Sequence, residues 1–217
     1  MATPSQIQAD ARRKYNATGD TFFTDSDFYD LIYEAETILA EEALVIEKVY
    51  STTSVASQRE YSWPTTAIAI KRIEYDGNKL RYSTFREDDS LTLSQSDTTD
   101  TGTPDFYQLW DRTIYLRPIP GTASLTIRIF TYDRPNLQTT GSANLDTPEH
   151  YRKDIVNYVL AHMAMKDGNT NVAQSYFNRW DQAVKRAIRW QRKRRGVDGP
   201  KRTQNVDDLP QTHLGLT

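Results

Sequence analysis

The chain reads as an α+β protein. Helices from both ends form one bundle, an antiparallel β-sandwich or barrel-like block is inserted between them, and an extended C-terminal arm follows. Three observations predict this. Apolar residues recur at helical spacing in residues 25–47 and again in 147–195. The stretch between them turns to Thr, Ser, Val, Ile and Tyr with turn signals. Neither terminal pair of helices can bury its apolar stripe alone, so the two pairs need each other. The boundaries that follow are 1–48 and 147–195 for the bundle, 49–133 for the β block, 134–146 for a linker and 196–217 for the arm.

The first helix is announced by Thr3-Pro4-Ser5-Gln6, a capping box with proline at the first helical position. Ile7, Ala11 and Tyr15 share one face, and residues 16–20 break the pattern. The second start is stronger. Thr24 caps, Asp25 and Asp27 suit the positive end of the helix dipole, and Phe23 is placed to staple onto Phe28. Phe28, Leu31, Ile32, Ala35, Leu39, Ala43 and Ile46 form a stripe that predicts a helix from Asp25 to about Glu47.

In the β block, Ile68 and Ile70 alternate with small residues, and Asp76-Gly77 is a hairpin signal. Residues 106–110, 113–117 and 124–132 read as three antiparallel strands. About seven short strands favour a sandwich or a barrel. Residues 94–104 form a polar loop. Pro148 opens the third helix, whose stripe is Tyr151, Ile155, Tyr158, Val159, His162 and Met163, with Gly168 at its end. The last helix runs from about Thr170 to Arg195. Val172, Ala173, Tyr176, Trp180, Ala183, Val184 and Ala187 are expected to face inward, and Gly196 is expected to stop it.

Composition narrows function. The 217 residues contain no cysteine, which removes disulfides, thiol chemistry and Cys-based zinc sites. Thirteen tyrosines and four tryptophans against nine glycines lean toward a core and a partner surface built from rings with polar ends. The opening MATPSQIQADARRKYN lacks the apolar core of a signal peptide, and no window is apolar enough to span a bilayer, so folding in a cytosol and no membrane partner are expected.

Catalytic patterns are missing. His150, His162 and His213 share no metal-ligand spacing, and no phosphate loop, nucleophile elbow or dinucleotide fingerprint occurs. The paired carboxylates have plain structural uses: Asp25 and Asp27 cap, Glu41 and Glu42 lie on a solvated face, and Glu87 to Asp89 sit near a turn. No enzyme activity and no cofactor are expected.

Charge is the sharper signal. Residues 179–202 hold ten Lys and Arg against two Asp, a net of +8, in a chain whose total is −2, so the remainder carries −10. Lys185, Arg186, Arg189, Arg192, Lys193, Arg194 and Arg195 crowd three helical turns. The dipole favours cations at a helix C-terminus by roughly 0.3–1 kcal/mol each, but only within its last turn. Like charges three and four apart repel, which makes Arg186, Arg189 and Lys193 a costly face without a counterpart. Phosphate contacts with nucleic acid, an acidic protein surface including another copy of this chain, and a merely solvated face are the three readings. Trp190 among the cations fits stacking on a base or packing at an interface. Beyond Gly196 the tail sets single apolar residues, Val197, Val206, Leu209, Leu214 and Leu216, in polar sequence, which suits an arm that orders on binding or simple disorder.

Four segments carry a resemblance: TPSQIQADARRKYN, GDTFFTDSDFYDLIYEAETILAEEA, REYSWP and DIVNYVLAHMAMKDGNTNVAQSYFNRWDQAVKRA. Together they make the chain similar to the head-to-tail adaptor, or connector, proteins of tailed bacteriophages. The resemblance implies a structural protein of the virion neck. It would form a ring of about twelve copies beneath the portal protein, with DNA passing through the channel and a tail or nozzle protein below. On this chain it implies a portal-docking arm anchored by Val206, Leu209, Leu214 and Leu216, and ring contacts from the long helices with Trp180 and Trp190 as candidates. The basic residues 185–195 would then meet portal or channel DNA.

Overall fold

A computed structural model of the chain describes residues 2–17, 19, 22–84, 100–138 and 140–198. It is α+β, as the sequence predicts. The arm anchors Val206, Leu209, Leu214 and Leu216, and Glu87 to Asp89, lie outside the described residues.

Both N-terminal helices begin where their caps place them. In α1 (Pro4–Lys14), Thr3 Oγ1 accepts the Gln6 amide at 3.3 Å, and Gln6 Oε1 accepts the Thr3 amide at 3.2 Å. In α2 (Asp25–Ala43), Thr24 and Asp27 exchange the same pair of bonds at 3.2 and 2.9 Å. The expected staple is present, with Phe23 and Phe28 ring centroids 6.2 Å apart. The end of α2 differs from expectation. Leu44 takes a left-handed conformation (φ 53°), closing the helix at Ala43, so Val45 and Ile46 are buried as extended chain and not as helix. A branched residue at positive φ is costly, and nothing in its composition marks the stop.

The C-terminal helices complete the bundle. A 3-10 turn over Glu149–Tyr151 leads into α3 (Arg152–Lys166), and Gly168 at φ 80° ends it. α3 packs against α1, α2 and α4 (Thr170–Asp198). Its residues Ile155, Val156, Tyr158, Val159, Leu160, Ala161, Met163 and Ala164 are all buried, which makes it the central helix. One apolar cluster joins Ile7 and Ala11 of α1, Phe28, Ile32 and Leu39 of α2, Val159 and Met163 of α3, and Trp180 and Val184 of α4. At roughly 1.5–3 kcal/mol per buried large side chain, this shared core is the main term holding the chain's two ends together.

Between the helical pairs lie ten strands among the described residues: β1 Glu47–Thr53, β2 Glu60–Ser62, β3 Ala67–Tyr75, β4 Asn78–Lys79, β5 Arg81–Tyr82, β6 Thr101–Gly102, β7 Phe106–Trp110, β8 Thr113–Arg117, β9 Ile119–Pro120 and β10 Thr126–Asp133. One sheet has the order β1-β10-β3-β4, another β2-β8-β7-β5, and β6 and β9 form a short parallel pair. Two open sheets that share no strand make a sandwich, not a closed barrel. Tyr61, Ile73, Tyr75, Tyr107, Ile114, Leu116, Ile127 and Ile129 fill the space between them. Asp76 and Gly77 take φ 47° and 80°, the two-residue hairpin turn their sequence predicts.

The three strands read from residues 106–132 exist but do not form one meander. β7 and β8 pair as a hairpin, whereas β10 pairs with β1 and β3 in the other sheet. The β7–β8 turn places Asp111 and Arg112 at φ 40° and 58°, conformations that disfavour both residues. Arg112 offsets this by donating to the Pro64 and Thr65 carbonyls at 3.1 and 2.9 Å, over the ring of Trp63.

Entry and exit of the block lie side by side: Glu47 of β1 is paired with Tyr132 of β10. Fully buried Asp133 locks this junction. Its carboxylate accepts the hydroxyls of Tyr50, Thr131 and Thr66, the last at 2.7 Å, while its amide donates to the Ile46 carbonyl at 3.0 Å. Ile68 of β3 packs on the helical core and Ile70 on the sandwich core, so one strand touches both.

Candidate functional site at the basic end of α4

α4 changes character along its length. Ala173, Trp180, Ala183, Val184 and Ala187 are buried, with Tyr176 half-buried between them. Val172, expected inside, is 44 % exposed, because the stripe begins one residue later at Ala173. From Lys185 to Arg194 the helix keeps Ala187 and Gln191 buried and Ile188 partly buried, while Lys185, Arg186, Arg189, Trp190, Arg192, Lys193 and Arg194 are exposed. Gly196 does not stop it: α4 continues to Asp198. Lysine, arginine and glutamine are strong helix formers, and one glycine costs only about 1 kcal/mol against such neighbours.

The predicted cations differ in how they are held. Lys185 pairs with Asp181 one turn earlier at 2.6 Å, on an exposed face. Arg186 reaches across to α3 and donates to both oxygens of Asp154, at 3.0 and 2.8 Å. Arg194 meets Glu47 at the start of β1 at 3.2 Å and lies 5.7 Å from the Trp190 ring centroid. Among the described residues Arg189 donates only to the Lys185 carbonyl, at 3.3 Å. Arg192 and Lys193 have no hydrogen bond or ion pair among the described residues. The Arg195 side chain lies outside the described residues. The chain thus supplies its own carboxylates to Lys185, Arg186 and Arg194, leaving Arg189, Arg192 and Lys193 without one among the described residues.

The two tryptophans are placed very differently. Trp180 is 6 % exposed, with its ring 5.0 Å from Tyr158 inside the bundle. Trp190 is 46 % exposed and meets His150 edge-on at 5.5 Å. A single subunit therefore has Trp190, and not Trp180, to offer a partner. Shallow hollows lie on both sides of this indole. One is lined by His150, Tyr151, Arg186, Ala187 and Trp190, the other by Arg186, Arg189, Trp190, Arg192 and Lys193. The sequence alone assigns His150 no role and does not pair Asp154 with Arg186 or Glu47 with Arg194. Those contacts join separate elements, and no local spacing encodes them.

The other candidates for chemistry have structural employment. His162 lies half-buried between Tyr158 and Phe177, 4.6 and 5.1 Å away. Burial holds its pKa below the ordinary histidine range against a smaller opposing pull from Glu34. Asp27 is held low by the Thr24 amide it caps and by Lys166. Glu41 pairs with Arg134 at 3.1 Å. Glu36, unremarked in the sequence, is 1 % exposed on α2. It accepts the Thr147 hydroxyl and, at 3.0 Å, the Thr147 amide, pinning the chain as it enters the third helix. Burial raises its pKa, opposed by the Thr147 bonds. No group of three His, Asp or Glu side chains is arranged to hold a metal among the described residues. No described helix is long and apolar enough to cross a membrane.

The described residues thus place a basic, one-sided surface on a bundle built from both ends of the chain. A family model described as SU10 adaptor protein matches residues 2–204. The chain belongs to the SU10 adaptor protein family. The match spans the bundle, the β block and the start of the arm, and it ends just before Val206. The SU10 adaptor proteins are phage structural adaptors, so this chain is a virion-associated structural protein that works alongside other phage head and tail proteins. No curated protein matches it.

Proposed function

We propose that this SU10 adaptor is a head-to-tail adaptor of the virion neck. It is made in the host cytoplasm and assembles as a ring of about twelve copies beneath the portal protein. There it extends the DNA channel and gives a tail or nozzle protein its attachment surface. The observation that carries this reading is the end of α4. Among the described residues, Arg189, Arg192 and Lys193 stand without carboxylate partners beside half-exposed Trp190, and in sequence the helix is followed by residues 199–217. In this reading that segment is the portal-docking arm, with Val206, Leu209, Leu214 and Leu216 as anchors.

The test is retention by purified portal protein of the full chain and of a variant ending at Asp198. Loss of at least tenfold in affinity is expected on truncation. Equal binding by the two would remove the docking role of the arm.

The same cations favour a second reading, sequence-independent binding of nucleic acid. If Arg189, Arg192 and Lys193 neutralise phosphates, the logarithm of DNA affinity falls with the logarithm of salt concentration with a slope near −3 per subunit. Salt-insensitive or undetectable DNA binding eliminates this reading and leaves the first untouched.

A further inference from the structure

Among the described residues the two larger sheets have four edges, and three of these are short or covered. β4 and β5 are two residues long and β2 is three. The Glu60 carbonyl of β2 accepts the Gln58 side-chain amide at 2.7 Å. β3, where β4 does not flank it, shifts register twice against β10 and rests Ile68 on the helical core. Such devices keep a sheet from pairing with other strands. β1 has none of them. It runs for seven residues beside β10 in unbroken register, and Val49-Tyr50-Ser51-Thr52-Thr53 holds neither proline nor charge. Just before and after it, Ile46 accepts the Asp133 amide at 3.0 Å and Ser54 donates to the Leu125 carbonyl at 2.8 Å. Antiparallel bonding alternates, so the backbones of Lys48, Tyr50 and Thr52 face β10 while those of Glu47, Val49, Ser51 and Thr53 face outward. On that side none of the four has a hydrogen-bond partner among the described residues.

A groove of about 480 Å³ runs between this edge and β2, lined by Tyr50, Tyr61, Trp63 and Ile129 with Glu60 beside them. The polar ends of its rings are bonded within the chain. Tyr50 donates to Asp133, the Tyr61 hydroxyl accepts the Val55 amide at 3.1 Å, and Trp63 Nε1 donates to the Ala67 carbonyl at 3.1 Å. Glu60 is exposed and has no ion pair among the described residues. We propose that β1 is an acceptor edge for an extended strand of a different virion protein. That strand places an apolar side chain in the groove and a lysine or arginine against Glu60. Strand addition of this kind takes affinity from main-chain hydrogen bonds and selectivity from the pockets that receive alternate side chains. A second copy of this chain fits less well. To match the length of β1 it would offer its own β1, and Val49 to Thr53 bring no cation to Glu60. Two such edges would also close as a two-fold pair. The proposal concerns β1 and its groove, and it holds or fails independently of the arm and of the basic end of α4.

Amide hydrogen exchange over residues 47–53 tests this, compared between the purified full chain and intact virions. Exchange of the outward amides is expected to slow at least about tenfold in virions, because a paired edge opens less often than a bare one. A benzophenone amino acid in place of Val49, which is 55 % exposed, is then expected on irradiation to join the chain to a different virion protein. Ser51→Pro removes one outward donor and no bond to β10, so the fold is expected to tolerate it. It should cut the cross-link yield at least about fivefold, whereas Ser51→Thr, which keeps the donor, should not. Glu60→Lys, at an exposed side chain without an ion pair, checks the charge independently and decides the matter if the proline variant fails to fold. It should lower the yield at least about threefold. Exchange unchanged on assembly would overturn the proposal. A cross-link that joins only copies of this chain would overturn it too, as would a yield untouched by Glu60→Lys.

Discussion

Up to Ala187, α4 is an ordinary amphipathic element. It lays Ala173, Trp180, Ala183, Val184 and Ala187 on α3 and the rest of the bundle, and it is stable because that face is covered. Beyond Ala187 the same helix has, among the described side chains, one buried residue, Gln191, with Ile188 partly buried, and a group of cations, some held by carboxylates from α3 and β1 and some by none among the described residues. The two stretches share a backbone geometry and differ in what closes them. The first is completed by its own chain. Among the described residues the second is only partly completed, and the incomplete part gathers around Trp190. One tryptophan is buried and another, less than three turns on, is half exposed, which marks the change from the covered stretch to the uncovered one.

Trp180→Ala tests this contrast most severely. It should cost about 3–5 kcal/mol, the range for truncating a large buried ring, read by chemical denaturation. Trp190→Ala should stay within about 1 kcal/mol in the same measurement, since much of its ring is already in water. Similar losses at both positions would erase the distinction.

Asp154→Ala comes next. It strands the Arg186 guanidinium, whose side chain is 65 % exposed, so water takes over much of the lost interaction. About 1 kcal/mol is expected after that screening. A loss near zero would mean that α3 does not steady the second half at all.

A smaller effect is expected from His162, which faces Phe177 of the first half. Its pKa is lowered in the folded state, chiefly by burial. The neutral ring is therefore favoured by folding, and its contribution is fully present above the ordinary histidine value. That contribution drains away as pH falls through the ordinary value toward the lowered folded one. Thermal melting midpoints across this window should decline for the parent and flatten for His162→Phe. Identical slopes would show that acid stability is set elsewhere.

Arg192→Gln combined with Lys193→Gln should change stability least, within about 0.5 kcal/mol, because neither side chain holds the fold. A clear stabilisation would show that uncompensated repulsion was being tolerated for some other end. A clear loss would mean that the second half is closed in a way its exposed positions do not display.

Much of this architecture is legible from residues alone, because the signals are local. Thr3 with Gln6 and Thr24 with Asp27 place two helix starts to the residue, and Asp76-Gly77 places a hairpin. The α+β class and the inserted block follow from where hydrophobic periodicity switches. What is lost is whatever depends on distant pairing. The stop of α2 at Leu44 is set by the chain turning into β1, not by a glycine. The passage of α4 through Gly196 shows the reverse, a glycine that does not stop a helix. β10 leaves the hairpin that precedes it because β1 and β3 offer it two edges, a choice made by packing. At the candidate site the cations were visible, but the sorting into held and unheld was not. Asp154 and Glu47 look like any other acids until α3 and β1 bring them to Arg186 and Arg194.

The pairing of Glu47 with Tyr132 has a consequence for how such a chain can diversify. The insertion leaves and rejoins the bundle through adjacent strands, so its two attachment points are about 5 Å apart however much polypeptide lies between them. Loops can lengthen, or strands can be added at the β4 or β5 edges, without displacing a helix, whereas β1 and β3 stay tied to the bundle through Glu47 and Ile68. The bundle is in that sense a socket, and the far edges of the insertion can change shape without repacking the helices.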